Sequence, residues 1–129
     1  MNPSELENQI WECVAKHRTE YDNPILLSKG EIVKLGELST EENWENWIWA
    51  ENKNLQGGWV PIQIIDFSED KKQGVVLEDY SARELNVDET ELLIKIKSLN
   101  GWSWVKRLDN SEEGWVPDEV IELSPSNER

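Results

Sequence analysis

A four-residue motif that occurs twice is the feature of this sequence that most constrains its fold. The motif is Gly-Trp-Val-Pro, at residues 58–61 and again at 114–117. A Trp-x-Trp precedes each copy at nearly the same distance, at residues 47–49 and 102–104. Two matched pairs of motifs in the same order predict two copies of one small module, because self-similarity at a fixed spacing is typical of duplicated folding units.

The residues around both motifs predict short strands joined by tight turns. Val33 and Leu35 alternate with polar residues, so we expect both side chains to face an interior. Ile94 and Ile96 alternate with lysines and are also expected to face inward, although a preceding leucine pair leaves the register open by one residue. Asn100-Gly101 is a strong signal for a two-residue hairpin turn. The sequence therefore predicts an all-β protein.

The predicted organisation is two contiguous small domains joined by a short linker. The expected segments are an N-terminal extension (1–12), a first domain (13–66), a linker (67–73), a second domain (74–123) and a C-terminal tail (124–129). Residues 2–14 could form one or two helical turns, because Leu6, Ile10 and Val14 would lie on one helix face. The end of this stretch could instead already be the first strand.

Charge limits the class of partner. The chain has 13 basic and 27 acidic side chains, for a formal net charge of −14. Such a field repels phosphate groups and anionic lipid, so neither nucleic acid nor a membrane surface is an expected partner. A basic peptide or a basic protein face would be attracted. Solubility alone would equally account for the acidic surface.

Cysteine content and hydrophobicity bear on location. Cys13 is the single cysteine, so the chain cannot form an internal disulfide, which is typical of a reducing compartment. Residues 1–10 lack the basic start and apolar centre of a secretory signal. No apolar run approaches the roughly 18 residues that a membrane-spanning helix requires. We therefore expect the protein in the cytoplasm.

The sequence contains few groups suited to catalysis or metal binding. His17 is the only histidine and stands four residues from Cys13, but no orienting group or oxyanion site is predicted beside them. Two such ligands are too few for a structural zinc site. Neither a calcium loop nor a glycine-rich phosphate loop is present. We expect no enzymatic activity, no metal and no other cofactor.

Both halves of the chain resemble the Src-homology-3 (SH3) family in a series of short segments. In the second half these are residues 76–80, 84–87, 101–105 and 114–121. In the first half they are residues 27–31, 47–50 and 58–65. The likeness is greatest to prokaryotic tandem variants of that family. It implies two five-stranded, partly open barrels in tandem.

The resemblance also implies a groove in which aromatic side chains hold a proline-rich peptide in a left-handed extended helix. In the second half, the groove would contain Tyr80, Trp102 and Pro117, and its acidic loop would contain Glu84, Asp88 and Glu89. In the first half, it would contain Trp47 and Pro61, with Tyr21 in place of the family's tyrosine. Trp44, in an acidic loop, is suited to a cationic group by charge and by cation–π contact.

These residues predict a non-catalytic protein-interaction module of the adaptor type. We expect Trp47 and Trp102 to be exposed in shallow grooves, where nearby carboxylates select a basic residue of an extended or proline-containing segment. One alternative is a structural role, in which the tryptophans pack against each other or against a partner protein. A second alternative is cell-wall binding, which some prokaryotic relatives perform.

Overall fold

The computed structural model describes residues 9–20, 23–41 and 46–125, and this part of the chain is all β. The first six strands are β1 (Ile10–Cys13), β2 (Leu26–Leu27), β3 (Ile32–Leu38), β4 (Trp47–Glu51), β5 (Gly57–Pro61) and β6 (Ile65–Phe67). The other six are β7 (Gln73–Val76), β8 (Tyr80–Ser81), β9 (Leu92–Leu99), β10 (Trp102–Arg107), β11 (Glu113–Pro117) and β12 (Ile121–Leu123). One-turn 3₁₀ helices precede β6 and β12. No helix in these residues is long and apolar enough to cross a membrane.

The chain forms two compact units whose limits differ from the predicted segments. The inserted unit comprises residues 23–83, and the terminal unit comprises residues 1–22 together with 84–129. The stretch predicted to be a linker, residues 67–73, lies inside the inserted unit, where it joins the adjacent strands β6 and β7. The predicted first strand of the second domain therefore belongs to the inserted unit.

Each unit contains one five-stranded antiparallel sheet, and the two sheets have equivalent strand orders. The order is β5-β4-β3-β7-β6 in the inserted unit and β11-β10-β9-β1-β12 in the terminal unit. A short pair, β2 with β8, completes the inserted unit. In each sheet the fourth strand comes from the other sequence repeat: β7 pairs with β3 and β6, and β1 pairs with β9 and β12. Within the one chain, the opening strand of each sequence repeat therefore lies in the sheet formed by the other repeat; we call this the exchange of strands between the repeats.

A difference between Trp11 and Gly74 explains which strand occupies which sheet. Trp11 lies opposite Leu93 and packs against the core of the terminal unit. Gly74 occupies the equivalent register position in the inserted unit, opposite Val33. A Cβ added to Gly74 would be only 2.4 Å from Cγ2 of Ile65. An indole cannot occupy that position, so β1 fits the terminal unit and not the inserted unit.

The cores confirm part of the predicted strand alternation. Val33 and Leu35 are buried, as expected. The inward orientation predicted for Ile94 and Ile96 is wrong: Leu93 is fully buried, whereas Ile96 is 52% exposed. The pairing of β1 with β9 places Leu93 on the core face, and a slip of one residue moves a strand's whole apolar set to the other face.

The terminal core combines residues from both ends of the chain. Its fully or nearly fully buried members are Cys13, Leu85, Val87, Leu93, Val105, Val116, Val120 and Ile121. Residues 10–13 form a strand of this unit, so the helical reading of that stretch is wrong and its strand alternative is confirmed. The rest of the predicted helical turns, at residues 2–8, lies outside the described residues.

We predict that Gly74→Ala destabilises the inserted unit by about 1–3 kcal/mol, the usual cost of overpacking. The added methyl would meet Cγ2 of Ile65 and, at 3.3 Å, the backbone oxygen of Asp66, which cannot move as a side chain can. Urea unfolding measures the loss. Gly36→Ala is the control, because the three atoms nearest to its Cβ would all belong to the Trp49 side chain, none closer than 3.3 Å. Equal stability of the two variants would contradict the prediction.

Candidate binding site

The exchange of strands redistributes the residues predicted to line the grooves. Tyr80, predicted to lie beside Trp102 and Pro117, belongs instead to the inserted unit, as do Trp47 and Pro61. The terminal unit contains Trp102, Pro117, Glu84, Asp88 and Glu89. Tyr21 and Trp44 lie outside the described residues.

The predicted groove residues of the inserted unit are buried. Trp47 is 4% exposed and Tyr80 is 7% exposed, and Pro61, opposite Trp47 in the sheet, is fully buried. The Tyr80 hydroxyl donates a hydrogen bond to the backbone oxygen of Trp59 at 3.4 Å. The predicted exposure of Trp47 is wrong, because β4 is covered on both faces at its start, where Ile48 is buried as well.

In the terminal unit, Trp102 lies at the start of β10 and is half-buried. Asn100 and Gly101 both have positive φ, 52° and 89°, so the predicted two-residue hairpin turn is confirmed. This turn places Trp102 opposite Pro117, which is also half-buried. A hydrogen bond of 2.9 Å from the Asp118 amide to the Gly101 carbonyl joins the turn to the end of β11.

His17 completes this surface in the place that Tyr80 takes in the inserted unit. The backbone of His17 pairs with that of Val87, in the same way as the backbone of Tyr80 pairs with that of Leu27. The ring centroid of His17 is 5.8 Å from that of Trp102, with the ring planes at 78°, an edge-to-face contact. From the sequence, His17 was considered only for catalysis and metal binding. Alignment of residues 13–17 with 76–80 would have placed it at the tyrosine position.

Glu84 lies against His17 and is largely buried. Its Oε1 is 2.7 Å from Nε2 of His17, and a backbone bridge to Trp115 fixes its position. Burial raises the pKa of the Glu84 carboxyl above its ordinary value, and the hydrogen bond to His17 offsets this only in part. The carboxyl is therefore a positioned acceptor beside the aromatic surface.

The other predicted acidic residues have different surroundings. Arg18 binds Asp88, with 2.5 Å between Nη2 and Oδ1, and also donates to the backbone oxygen of Val87 at 2.9 Å. This pair is exposed, so it contributes at most about 1 kcal/mol to stability. Glu89, the next residue, is exposed. Asp88 therefore has a cation of this chain beside it, which reduces its attraction for a cation of a ligand.

Asp118 is an acidic group that the sequence reasoning missed. Its Oδ1 accepts a hydrogen bond of 2.5 Å from the fully buried hydroxyl of Ser103, which is also 3.2 Å from the hydroxyl of Ser98. Asp118 is itself exposed and directly follows Pro117. The signal was available, because Ser103 stands between the two tryptophans of the repeated Trp-x-Trp. The serine therefore holds a carboxylate in place one residue after Pro117.

These contacts define a candidate binding site on the terminal unit: Trp102, Pro117 and His17, bordered by Glu84 and Asp118. Its aromatic and imidazole rings can contact an apolar or cationic group, and its carboxylates can accept hydrogen bonds from a cation. Throughout the described ranges, no group of three or more His, Cys, Asp or Glu residues could hold a metal ion. The arrangement is suited to binding.

Comparison with known families gives one match. Residues 8–67 match the variant SH3 domain. The sheets of both units are compatible with SH3-like barrels, in the strand orders given above. Neither a curated protein nor a solved structure matches the chain significantly.

The matched SH3 range is continuous in sequence but extends over both units. Its opening strand, β1, and His17 belong to the terminal unit, whereas β2 to β6 belong to the inserted unit. The two tryptophan pairs show the same internal geometry in each sheet. Trp49 and Trp59 are 5.4 Å apart at 81°, and Trp104 and Trp115 are 5.4 Å apart at 80°.

The raised pKa of Glu84 predicts a specific pH dependence of stability. At a pH between the unfolded and folded pKa values, the folded protein keeps this proton and the unfolded chain has lost it. The stability contributed by Glu84 is therefore present at low pH and lost as pH rises through the folded pKa. Glu84→Gln removes this loss. As pH rises, the free energy of unfolding of the wild type should therefore fall relative to that of the variant.

Urea unfolding at a series of pH values from about 4 to about 6 measures this difference. Glu89→Gln controls for the loss of one negative charge from the same loop. A difference between wild type and Glu84→Gln that stays constant, or that changes in the opposite direction, would contradict the burial of this carboxyl.

Proposed function

We propose that this chain is a non-catalytic protein-interaction module whose terminal unit binds an extended, basic or proline-containing segment. The match of residues 8–67 to the variant SH3 domain supports an interaction role in general, because SH3 domains bind proteins or peptides. The observation that carries the finer proposal is the half-buried Trp102 between Pro117 and His17, with the carboxylates of Glu84 beside His17 and of Asp118 after Pro117.

In the proposed mechanism, Trp102 and Pro117 form the apolar floor on which a ligand proline rests. Proline-rich segments bind at low entropic cost, since they already favour the extended left-handed helix in solution. The edge-to-face contact with His17 and the hairpin turn before Trp102 hold the indole in place. A ligand therefore meets a surface that requires little reordering.

Carboxylates select the charge of the ligand in this proposal. Asp118 is exposed and oriented by Ser103, so it can accept hydrogen bonds from a lysine or arginine that follows the proline. Exposed Glu89 adds to the field, and the net charge of −14 guides basic segments to the protein. Glu84 has an indirect role in this proposal, because its carboxyl contacts His17 and not the ligand.

A structural role for the equivalent residues of the inserted unit is the second candidate. Trp47, Pro61 and Tyr80 are buried, so these side chains offer no aromatic surface to a peptide. We propose that the two units are duplicates of one SH3-like barrel, of which the terminal unit has kept a binding surface. A cytoplasmic location is part of the proposal, consistent with the single cysteine, Cys13.

Titration with a fluorescein-labelled, proline-rich basic peptide tests the proposal by fluorescence anisotropy. We expect micromolar to millimolar affinity and a loss of at least about tenfold in Trp102→Ala, because aromatic anchors of interfaces commonly contribute about 1.4 kcal/mol or more. Trp49→Ala is the matched control, since Trp49 is 40% exposed but lies in the inserted unit. Absence of binding at about 1 mM, or equal binding by Trp102→Ala, would refute the proposed site.

The charge selectivity gives a separate prediction. A peptide in which glutamine replaces the arginine should bind several-fold more weakly at low ionic strength. This difference should shrink at about 1 M salt, where the Debye length is only about 3 Å. Asp118→Asn should reduce the difference in affinity between the two peptides, because it neutralises the carboxylate that Ser103 orients, whereas the rest of the negative charge remains. Equal affinities for both peptides at low salt would contradict the charge selectivity and would leave the apolar contact as the source of affinity.

A further inference from the structure

The segment of residues 9–20 joins the terminal unit as a separate piece of chain. β1 lies between β9 and β12, and the backbone hydrogen bonds of this segment to other described parts of the chain go to residues 84–125. The Cys13 amide donates to the backbone oxygen of Glu91 at 2.9 Å, and the Val14 amide donates to that of Val120 at 2.7 Å. The whole inserted unit separates this segment from its partners along the chain.

This segment has no second place to bind within the described part of its own chain. The equivalent position in the inserted unit is filled by β7, and the approach of Ile65 to Gly74 leaves no space for Trp11. When residues 9–20 leave their unit, the one surface that matches their register and shape is therefore the opened terminal unit of an identical chain. The shape of the opened terminal unit therefore indicates that the partner of the released segment is a second copy of this chain.

The start of the inserted unit permits exchange. Asn23, the first residue of that unit, precedes Pro24, which biases its backbone toward extended conformations. The exchanged form makes the same strand pairings and core packing as the closed form, so the balance between them depends mainly on protein concentration.

We propose that two copies of this chain exchange residues 9–20 reciprocally and form a dimer. Each terminal unit of the dimer then takes β1 and His17 from the second copy, so each Trp102 surface is completed by the other chain. A short tether gives the segment an effective concentration in about the millimolar range within its own chain. The exchanged dimer therefore forms when the chain folds at comparable concentrations.

Refolding the full chain from urea at about 10 µM and at about 1 mM tests this, with light scattering after gel filtration. We expect the ratio of a dimer, twice 15.1 kDa, to monomer to rise at least about tenfold between these concentrations. The dimer should persist on dilution, because its dissociation requires the terminal unit to open. Monomer alone at both concentrations would overturn the proposal.

A disulfide distinguishes exchange from association of two closed chains. Cys13 lies directly opposite Ile121 at a position without mutual backbone hydrogen bonds, where Cα atoms are about 4.5 Å apart and a disulfide fits. Ile121→Cys, refolded at high concentration and oxidised, should give dimers that stay covalently linked in denaturant. Dimers that separate into internally linked monomers would overturn the proposal. Cys13→Ala with Ile121→Cys is the control and should give no linked dimer.

A surface pair provides a second test if the core substitution prevents folding. Glu12 lies opposite Glu122 on the same two strands, so Cys13→Ala with Glu12→Cys and Glu122→Cys places two thiols on residues whose Cα atoms are about 5.5 Å apart. Covalent dimers after oxidation support the exchange. Covalently closed monomers from the dimer fraction would refute it.

Discussion

The close approach of Ile65 to Gly74 is the constraint on which the arrangement of this chain depends. A Cβ at position 74 would lie 2.4 Å from Cγ2 of Ile65, so the inserted unit accepts at this place only a strand that has glycine at the position of Gly74. Trp11 supplies the opposite condition, since it fills space against the core of the terminal unit. Because close-packed interiors penalise both voids and overlaps, the two positions together determine which strand enters which sheet.

Most of the secondary structure could be predicted from the sequence, because its signals are local. Alternation placed Val33 and Leu35 in a core, and Asn100-Gly101 specified its hairpin. The strand partners could not be predicted, because either repeat offers β1 and β7 equivalent backbone hydrogen bonds. The choice depends on side-chain volume at one position of each strand. The predicted orientation of Ile96 was wrong for a related reason, because the register of β9 is set by a partner strand distant in sequence.

The candidate site was predicted in part, and the strand exchange explains the limits. Trp102 and Pro117 come from one hairpin, so their pairing followed from the repeated motifs. Tyr80 was assigned to the wrong unit because its segment had been assumed to stay with its own repeat. His17 has the tyrosine's place, and its ring contacts Trp102. A family pattern read along the chain finds the positions of a groove but not which chain segments assemble it.

The position of β1 has a consequence for synthesis on the ribosome. β1 emerges before the other described strands, yet its last partner, β12, begins at Ile121, 108 residues after Cys13. At translation rates of about 5–20 residues per second, these four residues wait roughly 5–20 s for that partner. The inserted unit emerges completely during this delay, and its filled sheet offers no place to a strand that contains an indole. The nascent chain is thereby protected from pairing β1 with the nearer but incorrect sheet.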